Sequence, residues 1–142
     1  MNDYALTDLV PGETEASFTQ ELTPGMLDAF CALSGDENPL HTDEAFARAH
    51  GFAGRVVYGM LTAALYSRLA GMYLPGRRCI LQEVNSSFHK PVYAGDVLTV
   101  SGRVKDVDLG KGRAVVAAVV RNQDGARVSR AEIVVGILEE KA

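Results

Sequence analysis

Residues Tyr58 to Leu74, YGMLTAALYSRLAGMYL, constrain this chain more than any other segment. The run is long enough for a helix of about 25 Å. It is apolar nearly all round, with only Thr62, Ser67 and Arg68 distinctly polar. A helix without a polar face has to be wrapped on most of its sides. Arg68 interrupts the run, which is also shorter than the ~20 residues of a membrane span, so the wrapping is expected to be protein. Pro75-Gly76 stops the helix, and everything after residue 77 reads as strand: CILQEVNSSFH (79–89), VLTVSGRVKDV (97–107), RAVVAAVVRNQ (113–123) and RVSRAEIVVGIL (127–138). Glycines sit at the turns between them, and Asp124-Gly125 is a strong hairpin signal. Sequential strands with short turns predict an antiparallel meander. Curling that sheet around the helix buries both. The expected class is therefore α+β, a strongly curved antiparallel sheet around a long central helix.

The 142 residues fit one domain, 1–142. Residues 1–12 read as an extended lead-in ending at Pro11-Gly12, and EASFTQEL (15–22) alternates like a strand. Thr23-Pro24 is a good helix start, and GMLDAFCALSG places Met26, Leu27, Phe30 and Leu33 on one face before Gly35 ends it. Thr42 is expected to cap a short helix over 43–50 that stops at Gly51. The helix still has an open side and the sheet has edges that need pairing. Both needs predict a homodimer or a dimer of dimers.

Charge is unevenly distributed. Residues 1–47 hold ten acids and no Lys or Arg, a net −10, whereas residues 48–142 net +6. The acidic part and the overall pI near 5.3 argue against a nucleic-acid partner. The first ten residues have neither a basic start nor a long apolar stretch, so a cytoplasmic location is expected. Cys31 and Cys79 lack metal-ligand spacing and read as reduced core thiols. No Cys/His cluster predicts a metal site, and no phosphate loop or nucleophile elbow occurs. His50 reads as a helix-end residue and His89 as a surface one.

Three segments carry a resemblance: SGDENPLHTDEAFA (34–47), VVYGMLTAALYSRL (56–69) and FHKPVYAGDVL (88–98). Together they are similar to the MaoC-like, (R)-specific enoyl-CoA hydratases of the hot-dog fold. The likeness spans about residues 15–138; the first segment is the specific one and the third marks the fold. It implies a catalytic loop at about 34–57, a central helix at about 58–74 and strands over 79–138. It also implies an enoyl-thioester hydratase, or the same enzyme run as a 3-hydroxyacyl dehydratase, acting on acyl-CoA or an acyl-carrier protein without a cofactor.

Hydrating an enoyl thioester takes a water aimed at C3, a group to accept its proton, a donor for C2 and a donor to the enolate oxygen. Asp36 and His41 are five apart across a proline turn, which can bring a carboxylate and an imidazole onto one water. The resemblance implies that these two are the catalytic pair. Asn38 would hold the turn and orient Asp36 or the water. Taken alone, the same turn also fits an Asx-turn that closes one helix and starts another. Gly59 opens the central helix, where backbone N–H groups point outward, and the resemblance implies that its amide holds the thioester carbonyl. The alternative role for Gly59 is close packing of helix on sheet.

Tyr58 departs from the family, many of whose members have His before the Gly-Met pair. A shifted acyl-chain or carrier preference with retained chemistry is expected from it. Ser67 matches a small polar position near the site in related hydratases, and equally fits a helix serine bonded one turn back. Arg55, Arg77, Arg78 and Lys90 flank the helix and first long strand and are candidates for holding a phosphate or an acidic carrier. Arg103, Lys105, Arg127 and Arg130 read as outward strand faces. Competing functions on the same fold are a thioesterase and a non-catalytic acyl-thioester-binding subunit. The charge split suggests an acidic loop over the reacting end of a tunnel and a basic body available for phosphates.

Overall fold

The computed structural model describes residues 1–140. Five strands form one antiparallel sheet: β1 (Glu15–Glu21), β2 (Cys79–Phe88), β3 (Val97–Asp108), β4 (Arg113–Arg121) and β5 (Arg127–Ile137). Helix α1 (Pro24–Ser34) follows β1; two short helices, α2 (Pro39–Thr42) and α3 (Glu44–Ala49), lead to the central helix α4 (Gly59–Arg68). A π-helical stretch, Leu69–Tyr73, extends α4, so the apolar run is helical almost to its predicted end. No helix is long and apolar enough to cross a membrane.

The sheet packs on α4 through alternate residues. Leu98, Val100 and Val104 of β3 are buried, while Arg103 and Lys105 on either side of Val104 point outward, as do Arg127 and Arg130 on β5. They meet Leu65, Tyr66, Leu69 and Leu74. Each such aliphatic chain, fully buried, is worth about 1.5–3 kcal/mol. At Gly102 the sheet comes close to the helical segment: a Cβ there would lie 2.7 Å from Leu69 Cδ2, so a side chain would force the buried Leu69 to shift. This is the expected α+β hot-dog arrangement, a curved sheet around a helix.

The meander expectation needs correction. The strand order is β1-β3-β4-β5-β2, so β3, β4 and β5 form a meander but β2 pairs with β5 at one edge, away from β3. The connection at 89–96 does not close a tight hairpin. It is held elsewhere: Val57 N–H donates to Val92 C=O at 2.7 Å, and Val56 bridges Tyr93. Those contacts bring the crossing segment against the residues that lead into α4.

The short helices also divide differently. Pro39 starts a turn of its own, capped by Asn38, whose Oδ1 accepts from Leu40 N–H at 3.0 Å. Thr42 therefore ends α2 and donates its hydroxyl back to Asn38 C=O. Asp43, not Thr42, caps α3, accepting from Phe46 N–H. The cysteines are free but only partly buried, less deep than core thiols.

The polarity split becomes a seam. Arg48–Glu44, Arg55–Asp28, Arg78–Asp3 and Arg103–Glu15 each join an acid of the first 47 residues to a later arginine. Such partly exposed pairs contribute about 0–1 kcal/mol each. They also engage bases that were expected to be available for phosphate.

One polar chain crosses the core. Tyr66 on α4 and Ser129 on β5 are both fully buried, with their oxygens 2.7 Å apart. Ser129 donates its proton to Ser87 C=O at 2.8 Å, so the Tyr66 hydroxyl must donate to Ser129. Tyr66→Phe is expected to cost about 0.5–1.5 kcal/mol, a loss of roughly 2–4 °C in melting temperature. Thermal unfolding checks this; an unchanged midpoint would show that the bond is neutral.

Candidate active site

The loop after α1 is shaped by short-range bonds. Gly35, at φ +73°, ends α1 in the left-handed conformation that glycine takes without strain. Asp36 N–H donates to Ser34 Oγ at 3.1 Å, and Asp36 Oδ1 accepts from Asn38 N–H at 3.1 Å. This is the Asx-turn the sequence allowed. One carboxylate oxygen is thus tied to the turn, and Asp36 is exposed in the single chain.

His41 comes from α2 and is fixed from across the loop. Its Nδ1 is 2.7 Å from Val56 C=O. A carbonyl only accepts, so Nδ1 carries a proton and Nε2 of the neutral ring is left with its lone pair. Val56 N–H donates to Leu40 C=O, and Arg55 Nε donates to His41 C=O at 2.7 Å. The same guanidinium pairs with Asp28 at 2.8 Å. Arg55 is therefore committed to the loop, contrary to its expected role as a substrate handle.

Tyr58 stands directly before α4 and is 2 % exposed. Its hydroxyl donates to Asp36 C=O at 2.7 Å, and its ring stacks on His41 with centroids 4.0 Å apart. Phe30 packs on it at 4.8 Å. The phenol pKa is pushed up to about 12, by burial first and then by the Cys31 thiol and the Asp36 carboxylate. The hydroxyl consequently keeps its proton, and the bond to Asp36, throughout the neutral range.

Gly59 is the first residue of α4, where the backbone N–H has no intrahelical acceptor. A Cβ at Gly59 would meet the Phe88 ring at 3.5 Å, ordinary contact. Packing of helix on sheet does not require glycine here, which favours the ligand-facing role over the packing one.

Two cavities meet at these residues. One, of about 170 Å³, is lined by Asp36, His41, Tyr58 and Gly59, with Phe30 and Met60 as apolar walls. The other, of about 370 Å³, shares His41 and Gly59 and continues past Thr62 and Phe88 to the exposed His89 and Lys90. Asp36, His41, Tyr58 and Gly59 are thus brought together, and Lys90 joins His41 and Gly59 along the larger cavity; Asn38 lines neither and holds the turn through its bonds to Asp36 and Leu40. Ser67 stands apart: it is exposed two turns along α4 and lines neither cavity. Arg77 and Arg78 follow the far end of the helix, where Arg77 N–H donates to Asn2 C=O and Arg78 pairs with Asp3. Fifteen residues of helix put them roughly 20 Å from Gly59, and neither lines either cavity. Phe30, Met60 and Thr62 were not singled out as site residues. Thr62 carried a signal, a polar residue one turn after Gly59 in an apolar helix. His89 is a surface residue as expected, yet it also lines the larger cavity. Among the described residues no cluster of three or more His, Cys, Asp or Glu is placed to hold a metal ion.

The profile of the MaoC-like domain matches residues 9–126. An (R)-specific enoyl-CoA hydratase of Aeromonas caviae is 41% identical over 107 residues, 75% of this chain and 80% of that protein. A 3-hydroxybutyryl-CoA dehydratase of Methylorubrum extorquens is 33% identical over 110 residues, 78% of this chain and 69% of the other. Among solved structures, an R-hydratase of Pseudomonas aeruginosa superposes with a TM-score of 0.89 at 35% identity, covering 99% of this chain and 89% of that one. The A. caviae (R)-hydratase involved in PHA biosynthesis gives 0.86 at 36% identity, covering 91% and 97%.

Proposed function

The chain belongs to the family of MaoC-like domains, and from that premise we propose that it is an (R)-specific enoyl-thioester hydratase, which run in reverse is a 3-hydroxyacyl-thioester dehydratase. The observation that carries this reading is the small cavity into which Asp36, His41 and Gly59 all open. An ionised Asp36 only accepts hydrogen bonds, and so does His41 Nε2 while Nδ1 donates to Val56. A water has two hydrogens to give. Donated to these two acceptors, they leave an oxygen lone pair for C3 of the enoyl chain. As the C3–O bond forms, the pair takes one proton and the other stays on the new hydroxyl. Electrons from the C2–C3 double bond move to the thioester oxygen, where the Gly59 N–H stabilises the enolate. The captured proton then passes to C2. Atoms and charge balance without a cofactor.

Substrate is an acyl-CoA or an acyl-carrier-protein thioester. Lys90 is the member of the predicted basic set that lines a cavity shared with His41. The open side of the site supports a second copy of the chain as partner. Leu33 is 84 % and Met60 66 % exposed, and Phe88 on the edge strand β2 is 48 % exposed. Apolar groups at a reacting centre and along an unpaired edge are what a homodimer would cover. The cytoplasm, expected from the sequence, is where we place the enzyme.

The reading is tested with crotonyl-CoA and purified protein. Loss of the enoyl ultraviolet absorbance without free thiol supports hydration. Release of free thiol would make the protein a thioesterase, and no change with CoA or carrier-protein substrates would make it a binding subunit. Arg55→Met separates loop clamp from substrate handle. It is expected to lower kcat by about tenfold, the worth of a charge-assisted bond or two, and the melting temperature by a few degrees, with KM nearly unchanged. A raised KM at constant kcat would restore the handle role.

A further inference from the structure

The bonds immediately around Asp36 are local. Asp36 N–H to Ser34, Asn38 N–H to Asp36 and Leu40 N–H to Asn38 each reach across two residues. They give the turn its shape but do not fix where it sits relative to α4. Arg55 and Val56 tie Leu40 and His41 to the segment before α4, and Tyr58 adds the constraint at Asp36 itself. Its hydroxyl reaches Asp36 C=O from 22 residues away along the chain, and its ring face lies on His41. Phe30 closes the other contact of the ring, so the phenol has little freedom of its own. Tyr58 is also the residue before Gly59, which lines the same cavity. One rigid side chain therefore touches both members of the acid–base pair from the backbone position adjoining the third group.

We propose that Tyr58 is a positioning residue, which sets the Asp36 carboxylate and the His41 ring in one frame with the Gly59 amide. The proposal rests on the hydration reading above. It differs from the expectation, drawn from sequence, that position 58 tunes substrate choice: Tyr58 lines the cavity, but its hydroxyl is engaged by Asp36 C=O and its ring by His41, so its loss affects turnover more than binding.

Tyr58→Phe keeps the ring and both stacking contacts and removes only the bond to Asp36 C=O. With crotonyl-CoA, kcat is expected to fall about tenfold or more, since small misplacements of reacting groups are costly, while KM stays within about twofold. In the Asp36→Asn background the same change is expected to slow the enzyme by less than about twofold, because a residue acting through Asp36 has nothing left to position. A merely structural role would multiply the two losses. Hydrogen exchange gives a readout independent of activity: amides of residues 36–42 are expected to exchange at least about tenfold faster in Tyr58→Phe, with those of β3 to β5 unchanged. Wild-type kcat in Tyr58→Phe, multiplying losses, or unchanged exchange in the loop would each overturn the proposal. An Asp36→Asn enzyme as fast as wild type would overturn the hydration reading and this role with it. A slow Asp36→Asn beside a fast Tyr58→Phe would overturn the positioning role alone.

Discussion

Asp36→Asn is expected to lower the turnover of crotonyl-CoA by at least about 100-fold, the lower range of what a positioned acid–base group contributes. The substitution separates chemistry from architecture. Asparagine keeps an oxygen that can accept from Asn38 N–H, so the Asx-turn survives, and the bond from Tyr58 goes to the backbone carbonyl and is untouched. What is lost is the negative charge and the second acceptor facing the water. The melting temperature should therefore stay within about 2 °C. Steady-state kinetics together with thermal unfolding make the check. A well-folded variant within a few-fold of wild type would remove Asp36 from the mechanism.

His41→Ala is expected to lower turnover by a similar factor of at least about 100, but with a different stability cost. The imidazole donates to Val56 C=O and stacks on Tyr58, so its removal unmakes one bond and one aromatic contact as well as the base. About 1–2 kcal/mol of stability goes with them. The two variants together are informative: similar losses of activity with unequal losses of stability are the pattern of a pair whose members share one water but are held differently. Activity that follows the melting temperature instead would reduce His41 to a structural residue.

The sequence made much of the fold legible because burial leaves a period. The alternation in VLTVSGRVKDV is the alternation of Leu98, Val100, Gly102 and Val104 against the helix, and the unbroken apolar run of 58–74 is the helix they enclose. Strand order was not legible. The link from β2 to β3 is longer than the one from β3 to β4, but nothing in 89–96 announces that it crosses to meet Val56 and Val57. Alternation says which face of a strand is buried and is silent about its neighbour.

The site divides along the same line. Asp36, Asn38 and His41 sit within six residues, and a proline turn gathers them whatever the rest of the chain does. Arg55 and Arg78 read as available cations in the sequence because their acids, Asp28 and Asp3, are far away in the chain. The uneven charge of the two segments hinted at that pairing, since an acidic stretch and a basic one attract; which arginine meets which acid depends on the fold. Tyr58 stood out by its departure from the family pattern, but a contact with a backbone carbonyl leaves no trace in a sequence. Ser67 shows the opposite failure: a correct helix assignment whose face could not be oriented from residue type alone.

In the proposed mechanism Asp36, His41 and Gly59 act from one cavity on one side of the substrate. Hydration of crotonyl-CoA in D2O, with the product resolved at early times by configuration at C2 and C3, tests it most directly. A water held between Asp36 and His41 delivers oxygen to C3 and a deuteron to C2 from the same face. A single diastereomer is expected, R at C3, with both groups added on that face. Addition from opposite faces, or a mixture at C2 or C3, would contradict it.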